Sequence, residues 1–162
     1  MIRLIAAIDR KRGLAKHGYE PWHIPKDGAY FNNQTKKYGG HVLVGGATFR
    51  NDLKGKSLPE RTTYVFTHET EIPGSIILVH DISQWLKTMQ TRDVWVAGGA
   101  HVFESFFALD AADELYLTHI DADFGCDQFF PDYKMGFSLV EQSEVHEQNG
   151  FRFYFAHYEV RK

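Results

Sequence analysis

The residues best placed to do chemistry are one acid and one hydroxyl. Asp27 follows two prolines and a tryptophan in PWHIPKDGAYF, residues 21–31. Pro21 and Pro25 restrict the backbone on either side, and Trp22 offers a large wall with one N–H donor. On a helix, Asp27, Phe31 and either Gln34 or Thr35 share a face, so the acid points where an aromatic points. Two readings are open for it. An acid in a first helical turn interacts favourably with the helix dipole. A partly buried acid instead takes its pKa from its surroundings and can serve in proton transfer. Thr118 favours the second reading, because a hydroxyl in the apolar stretch LYLTHI needs a partner if it is buried. An Asp–Thr pair covered by Phe31 suits a flat heterocycle with adjacent N–H donors.

A second pattern concerns phosphate. VLVGGATF and VWVAGGAHVF both run from a strand through Gly-Gly-Ala into a helix start. Glycine pairs at such turns let a ligand approach the backbone, and the following helix offers free N–H groups and a positive dipole end. Either pair alone could serve only as a tight turn. Two in matching context point to a dinucleotide held between neighbouring strands, although neither is a Gly-x-Gly-x-x-Gly fingerprint. Thr48 and Val102-Phe103 fall in the first turns of those helices. Thr67 and His68 end the strand expected beside residues 41–45, within reach of an adenosine; in isolation they are ordinary surface residues.

These groups need a frame. Residues 2–8 read as a strand buried on both faces. A long polar, glycine-bearing stretch runs from there to Trp22, and a loop of that length in a small domain is usually functional. A helix is expected from Lys26 to Gly39-Gly40, and another near Thr48. Strands are expected at 41–45, 62–67, 76–79, 94–97 and 114–120, with helices from Asp81 or Ser83 to Gln90 and from Gly98-Gly99 to Leu109. Phe137–His146 and Phe151–Val160 flank Asn149-Gly150, a hairpin signal. The alternation predicts a single α/β domain over residues 1–162. Its central sheet is mostly parallel, with about eight strands flanked by helices and closed by a C-terminal antiparallel hairpin.

Composition narrows the function. The chain carries 18 basic and 21 acidic residues, a net charge of −3, with no basic patch of the kind nucleic-acid binders show. The run from Asp9 to Arg12 reads as a solvated turn. The nine histidines show no metal-ligand spacing, and the single cysteine, Cys126, leaves no internal disulfide, so no metal is expected. No apolar run reaches the length of a membrane span, and MIRLIAAI is short for a signal peptide. A cytoplasmic protein is expected.

Taken in order, PWHIPKD, VGGATF, LPERT, VAGGAHVFE, LYLTHIDA, Gly125-Cys126-Asp127 ahead of FFP, and the closing aromatic hairpin resemble dihydrofolate reductases of the bacterial chromosomal type from Met1 to Lys162. The resemblance implies reduction of 7,8-dihydrofolate to 5,6,7,8-tetrahydrofolate, with hydride passing from NADPH to pterin C6 and a proton to N5. By the same resemblance Asp27 holds the pterin amino group and N3 and promotes N5 protonation through water. Thr118 hydrogen-bonds Asp27 and pterin, and Trp22 and Tyr116 organise that water. Ile5, Phe31 and Ala97 line the pterin slot, Leu53 and Leu58 flank the aminobenzoate, and Arg61 grips the glutamate α-carboxylate. Ala7, Leu14 and Ala15 border nicotinamide. Gly45, Ala47, Thr48 and Gly98, Gly99, Ala100, His101, Val102 and Phe103 hold the pyrophosphate, with a cis peptide at Gly98-Gly99. Thr67, His68 and His80 lie towards the adenosine. Residues 9–24 match a mobile loop and Asp127 the acid that helps close it. A monomer that binds antifolates such as methotrexate or trimethoprim is implied.

The chain departs from the family pattern at the cofactor. Gly46 stands where an arginine usually grips the adenosine 2′-phosphate, and a small insertion follows Phe49; these leave NADH use open. Glu20 replaces a usual Leu or Met, and Ala15 a usual glycine. Two other functions compete: a pyrimidine reductase of riboflavin synthesis, which lacks the Pro-Trp-x-x-Pro-x-Asp unit, and a catalytically weak pterin-binding protein.

Overall fold

The run IRLIAAI forms a strand, β1 (Ile2–Ile8), in the computed structural model, which describes all 162 residues. Its side chains divide between two cores: Leu4 and Ile8 enter one buried cluster and Ile5 the other. β3 (His41–Gly45) and β6 (Val94–Val96) divide likewise. Leu43, Val94 and Val96 face one cluster, and Val42, Val44 and Trp95 the other. Strands apolar on both faces fit a parallel sheet covered by helices on each side. α3 (Ile82–Thr88) and α4 (Ala100–Ala108) cover one face with Trp85, Phe103 and Phe106. α1 (Pro25–Thr35) and α2 (Gly46–Asn51) cover the other with Phe31 and Phe49.

β1 pairs in parallel with β6 and with β7 (Glu114–Ile120), and β3 in parallel with β6 and with β4 (Thr62–Phe66), which continues to β5 (Ile76–Val79). β11 (Phe151–Val160) joins β7 antiparallel. On its far side β9 (Phe137–Gln142) and β10 (His146–Gln148) follow one another along the same edge. Nine strands therefore occupy eight positions, in the order β10-β11-β7-β1-β6-β3-β4-β5 with β9 beside β10. The hairpin predicted at Asn149-Gly150 forms, with both residues at positive φ (53° and 79°), and its outer strand is broken between Gln142 and His146.

Two short elements escape the sequence pattern. β2 (Gly13–Ala15), inside the long polar stretch, pairs antiparallel with β8 (Gln128–Phe129) far along the chain. Asp9 corrects the solvated-turn reading. It is buried at 3% exposure, and its carboxylate accepts from the N–H groups of Lys11, Gly13 and Phe124 at 2.9, 2.7 and 3.2 Å. Arg10 and Lys11 do face solvent, paired with Asp121 and Asp123. No helix is long and apolar enough to cross a membrane.

Candidate active site

The main cleft, of about 850 Å³, opens beyond the C-terminal ends of β1, β6, β3 and β4, where α/β sheets bind their ligands. One end is apolar, with Ile5, Ala7, Phe31, Leu53 and Ala97 around Asp27 and Thr118. Pro25 opens α1, and its preset φ suits a first helical position. No side chain of the preceding residue caps that helix. The tip of the C-terminal hairpin does so instead: the Lys26 N–H donates to Gln148 Oε1 at 2.7 Å, and Asn149 Nδ2 donates to the His23 carbonyl at 2.8 Å. Trp22 is buried beside Ile24, Ile120 and Phe153, with its ring 5.1 Å from Phe124. The prolines, the tryptophan and the hairpin thus fix where α1 begins.

That fixed start delivers Asp27 to β7. Thr118 Oγ1 donates to Asp27 Oδ1 at 2.6 Å across 91 residues of sequence. Burial raises the Asp27 pKa above its ordinary value, and the Thr118 hydroxyl offsets part of that rise by stabilising the charged form. Two further acids line the cleft near it. Crowding by protein atoms, then the charges of Asp52 and Asp27, pushes the Glu20 carboxyl above the usual carboxylate range, and desolvation raises Asp52. Both side chains line the open mouth of the cleft and remain exposed to solvent, so water moderates the two shifts without reversing their direction.

The other end of the cleft is built from the two glycine turns. The Gly45 N–H donates to the Gly98 carbonyl at 2.7 Å, so the ends of β3 and β6 are tied together. A Cβ on Gly45 would stand 3.0 Å from Val102, and one on Gly99 3.1 Å from Thr48 Oγ1. The Gly98-Gly99 peptide is cis. Gly99 caps α4 without a side-chain bond, so the first N–H groups of that nine-residue helix face the cleft unbonded within the helix. Ala47, Thr48, Ala100, His101, Val102, Phe103, Thr67 and His68 complete this wall. A close backbone cradle with free N–H donors and one arginine, Arg50, fits a pyrophosphate-bearing dinucleotide.

Leu14, Ala15 and Gly46 also line the cleft. Five expected residues do not. Tyr116 lies on the Thr118 face of β7 but nearer its start. Its hydroxyl donates to Glu114 Oε2 at 3.3 Å and its ring stacks on His157 at 4.4 Å. Its hydroxyl is committed to Glu114, away from the expected cleft water. Leu58 is buried in the cluster beneath Leu53 and Phe31. Arg61 is held against α1, donating to Thr35 Oγ1 at 2.8 Å and Asn32 Oδ1 at 3.0 Å. His80 Nδ1 donates to the Thr67 carbonyl at 2.8 Å, behind the wall. Trp22 is buried with Ile24, Ile120 and Phe153, and its buried Nε1 makes no well-formed hydrogen bond although it is close enough to the Glu20 carboxyl to stabilise its charged form. Sequence reasoning missed Arg50, Asp52, Tyr30 and Phe129. Only Arg50 left a signal, as a cation one helical turn after Gly46.

Residues 9–24, expected to be a mobile loop, are fastened on both sides. The Asp127 N–H donates to the Ala15 carbonyl at 3.0 Å, and the His17 N–H to Asp127 Oδ2 at 3.1 Å. Asn51 Nδ2, at the end of α2, donates to the Gly18 carbonyl at 2.9 Å.

A covered parallel sheet, a glycine cradle at its strand ends and an acid–hydroxyl pair in the same cleft define an α/β dinucleotide-dependent reductase. The sequence profile described as dihydrofolate reductase matches residues 1–160. The chain is 33% identical to a dihydrofolate reductase of Bacillus subtilis (strain 168) over 99% of its own length and 95% of that protein's. It is 27% identical to one from Aedes albopictus over 96% and 95%. A solved structure of the Enterococcus faecalis dihydrofolate reductase, complexed with NADP(H) and RAB-propyl, superposes with a TM-score of 0.85 at 28% identity, covering 100% of this chain and 97% of that one. The chain belongs to the dihydrofolate reductase family.

Proposed function

We propose that the protein reduces 7,8-dihydrofolate to tetrahydrofolate with NADPH, with Asp27 as the acid of the reaction. The observation that carries this is the Thr118–Asp27 pair, the one acid of the cleft held by a buried hydroxyl, at its apolar end beside a phosphate cradle. NADPH, when bound, supplies the hydride, so the protein itself needs to bind, orient and deliver a proton. Asp27 and Thr118 would hold the pterin amino edge, Ile5 and Phe31 its faces, and the Ala97 carbonyl a further donor. Leu53 would flank the aminobenzoate, with Leu58 supporting it from beneath. Arg61 would take the glutamate carboxylate from its seat on α1, as a fork that lysine replaces poorly. Ala7, Leu14 and Ala15 would border nicotinamide, and the two glycine turns with Thr48 and the start of α4 would hold the pyrophosphate. The Trp22 indole N–H would hold a water on the way to N5 from just outside the cleft wall.

Neither competing function has support here. The slot carries an acid and no basic cluster for a phosphorylated pyrimidine. Antifolates with a protonatable amino-heterocycle would pair with Asp27, and we infer a cytoplasmic monomer that binds neither nucleic acid nor membrane. The test is oxidation of NADPH by purified protein with dihydrofolate, for wild type and Asp27→Asn. Wild type should turn over rapidly. The variant should lose at least about 100-fold at neutral pH, the usual worth of a general acid, while binding NADPH normally. Equal rates in the two would remove Asp27 from the mechanism.

A further inference from the structure

Resting on the NADPH reading above, one question remains at the adenosine end of the cleft. NADPH differs from NADH by a single phosphomonoester dianion, and some cation has to meet it. The arginine expected at position 46 is absent. Among the residues lining the cleft, Arg50 is the only arginine or lysine, against the acids Glu20, Asp27, Asp52, Glu104 and Asp127. Arg50 lies in α2 four residues after Gly46. Residues four apart share a helix face, and long side chains lean back towards the helix start. The structure shows that lean. A Cβ built on Gly46 would stand 3.6 Å from Arg50 Nη1 and 3.6 Å from Thr67 Oγ1. A Cβ would fit there in ordinary contact, and the guanidinium lies where a longer side chain at 46 would extend, beside the Thr67 hydroxyl and the end of β4.

The neighbours of Arg50 define how it would work. Thr67 Oγ1 accepts from the Glu69 N–H at 3.1 Å, which leaves its own proton to donate. Arg50 is ion-paired with Glu69, and both side chains are about half exposed, 52% and 48%. An exposed pair of this kind contributes little to stability, so it opens readily. A dianionic phosphate offers the arginine fork a stronger, bidentate partner.

We propose that Arg50 is the specificity-determining residue for the 2′-phosphate of NADPH, supplied from one helical turn beyond the position that lacks it, and that Glu69 competes with the phosphate for it. Glycine at 46 is then part of the arrangement, because a larger side chain there would displace the guanidinium. Thr67 and His68 complete the pocket, and cofactor preference is set by the balance between phosphate and Glu69.

The experiment is a fluorescence or calorimetric titration of the full-length protein with NADPH and with NADH, for wild type, Arg50→Gln, Arg50→Lys and Glu69→Gln. Arg50→Gln should weaken NADPH about 10- to 100-fold, the worth of a hydrogen-bonded charge, and leave NADH within about 2-fold. Arg50→Lys should retain part of the affinity, since a point charge replaces the fork. Glu69→Gln should tighten NADPH several-fold and leave NADH unchanged. Equal losses for both nucleotides in Arg50→Gln would mark a structural role and overturn the assignment, as would an unchanged preference for NADPH. A folded wild type that binds both nucleotides equally also overturns it. One that binds neither overturns the cofactor reading itself.

Discussion

At the scale of single residues, the site depends on how two opposed effects set one acid. Burial pushes the Asp27 pKa up, and a 2.6 Å bond from Thr118 pulls it back. Thr118 is 2% exposed, so its hydroxyl has no water to turn to and its proton is committed to the acid. Valine at this position keeps the shape and removes the donor. Thr118→Val should therefore raise the Asp27 pKa further. In the proposed reaction the protonated acid promotes N5 protonation, so turnover is lost as pH rises through that pKa, and the alkaline limb of the pH–rate profile should move to higher pH. The fold should lose about 1 kcal/mol, the usual worth of one hydrogen bond. The profile of initial rates against pH checks this; an unmoved alkaline limb would mean that Thr118 holds substrate only and does not tune the acid.

Elements differ in how clearly the sequence announces them, and the loop over the cleft is the obscure one. β1, β3 and β6 were legible because their residues are apolar on both faces, which only a covered sheet demands. The acid–hydroxyl pair was legible too, since one helix start and one polar residue in an apolar strand each needed a partner. β2 and β8 have three and two residues and join through backbone bonds alone, so no side-chain period betrays them. Asp9 was hidden because its partners include the N–H of Phe124, 115 residues away. Tyr116 shares a face with Thr118, yet whether it reaches the cleft depends on depth along the strand, which sequence does not encode. Gly13 is where this element can be tested. A Cβ there would lie 2.6 Å from Cys126 Cβ and 2.7 Å from Asp9 Oδ1. Gly13→Ala should push β2 off β8, cost about 2 kcal/mol by overpacking, and speed proteolysis within residues 9–24. Limited proteolysis with thermal melting decides it; unchanged cleavage would show that β2 yields without releasing the loop.

For the whole molecule, the cleft and the far face of β7 should impose opposite pH dependences on stability. On the cleft side, Asp27, Glu20 and Asp52 have pKa values raised above those of the unfolded chain. The folded form then binds protons more readily, so stability rises as pH falls through those raised values. On the opposite face, His119 Nε2 meets the Tyr158 hydroxyl at 2.8 Å and its ring stacks on Tyr154 at 4.8 Å. Burial, followed by the charge of Lys134, lowers this histidine to about 4. Here the unfolded chain binds the proton more readily, so stability is lost as pH falls from about 6.5 towards 4. The two trends meet in mildly acidic solution, where the ligand-free protein should be most stable. His119→Gln should remove most of the loss on the acid side, about 2 kcal/mol after allowing for the part of the ring that water still reaches, while the gain between pH 8 and about 6 stays as in wild type. Urea unfolding at several pH values measures both limbs. If wild type and variant lose stability in parallel below pH 6, the acid lability belongs to groups other than His119, and the opposition between the cleft and the far face of β7 does not set the optimum.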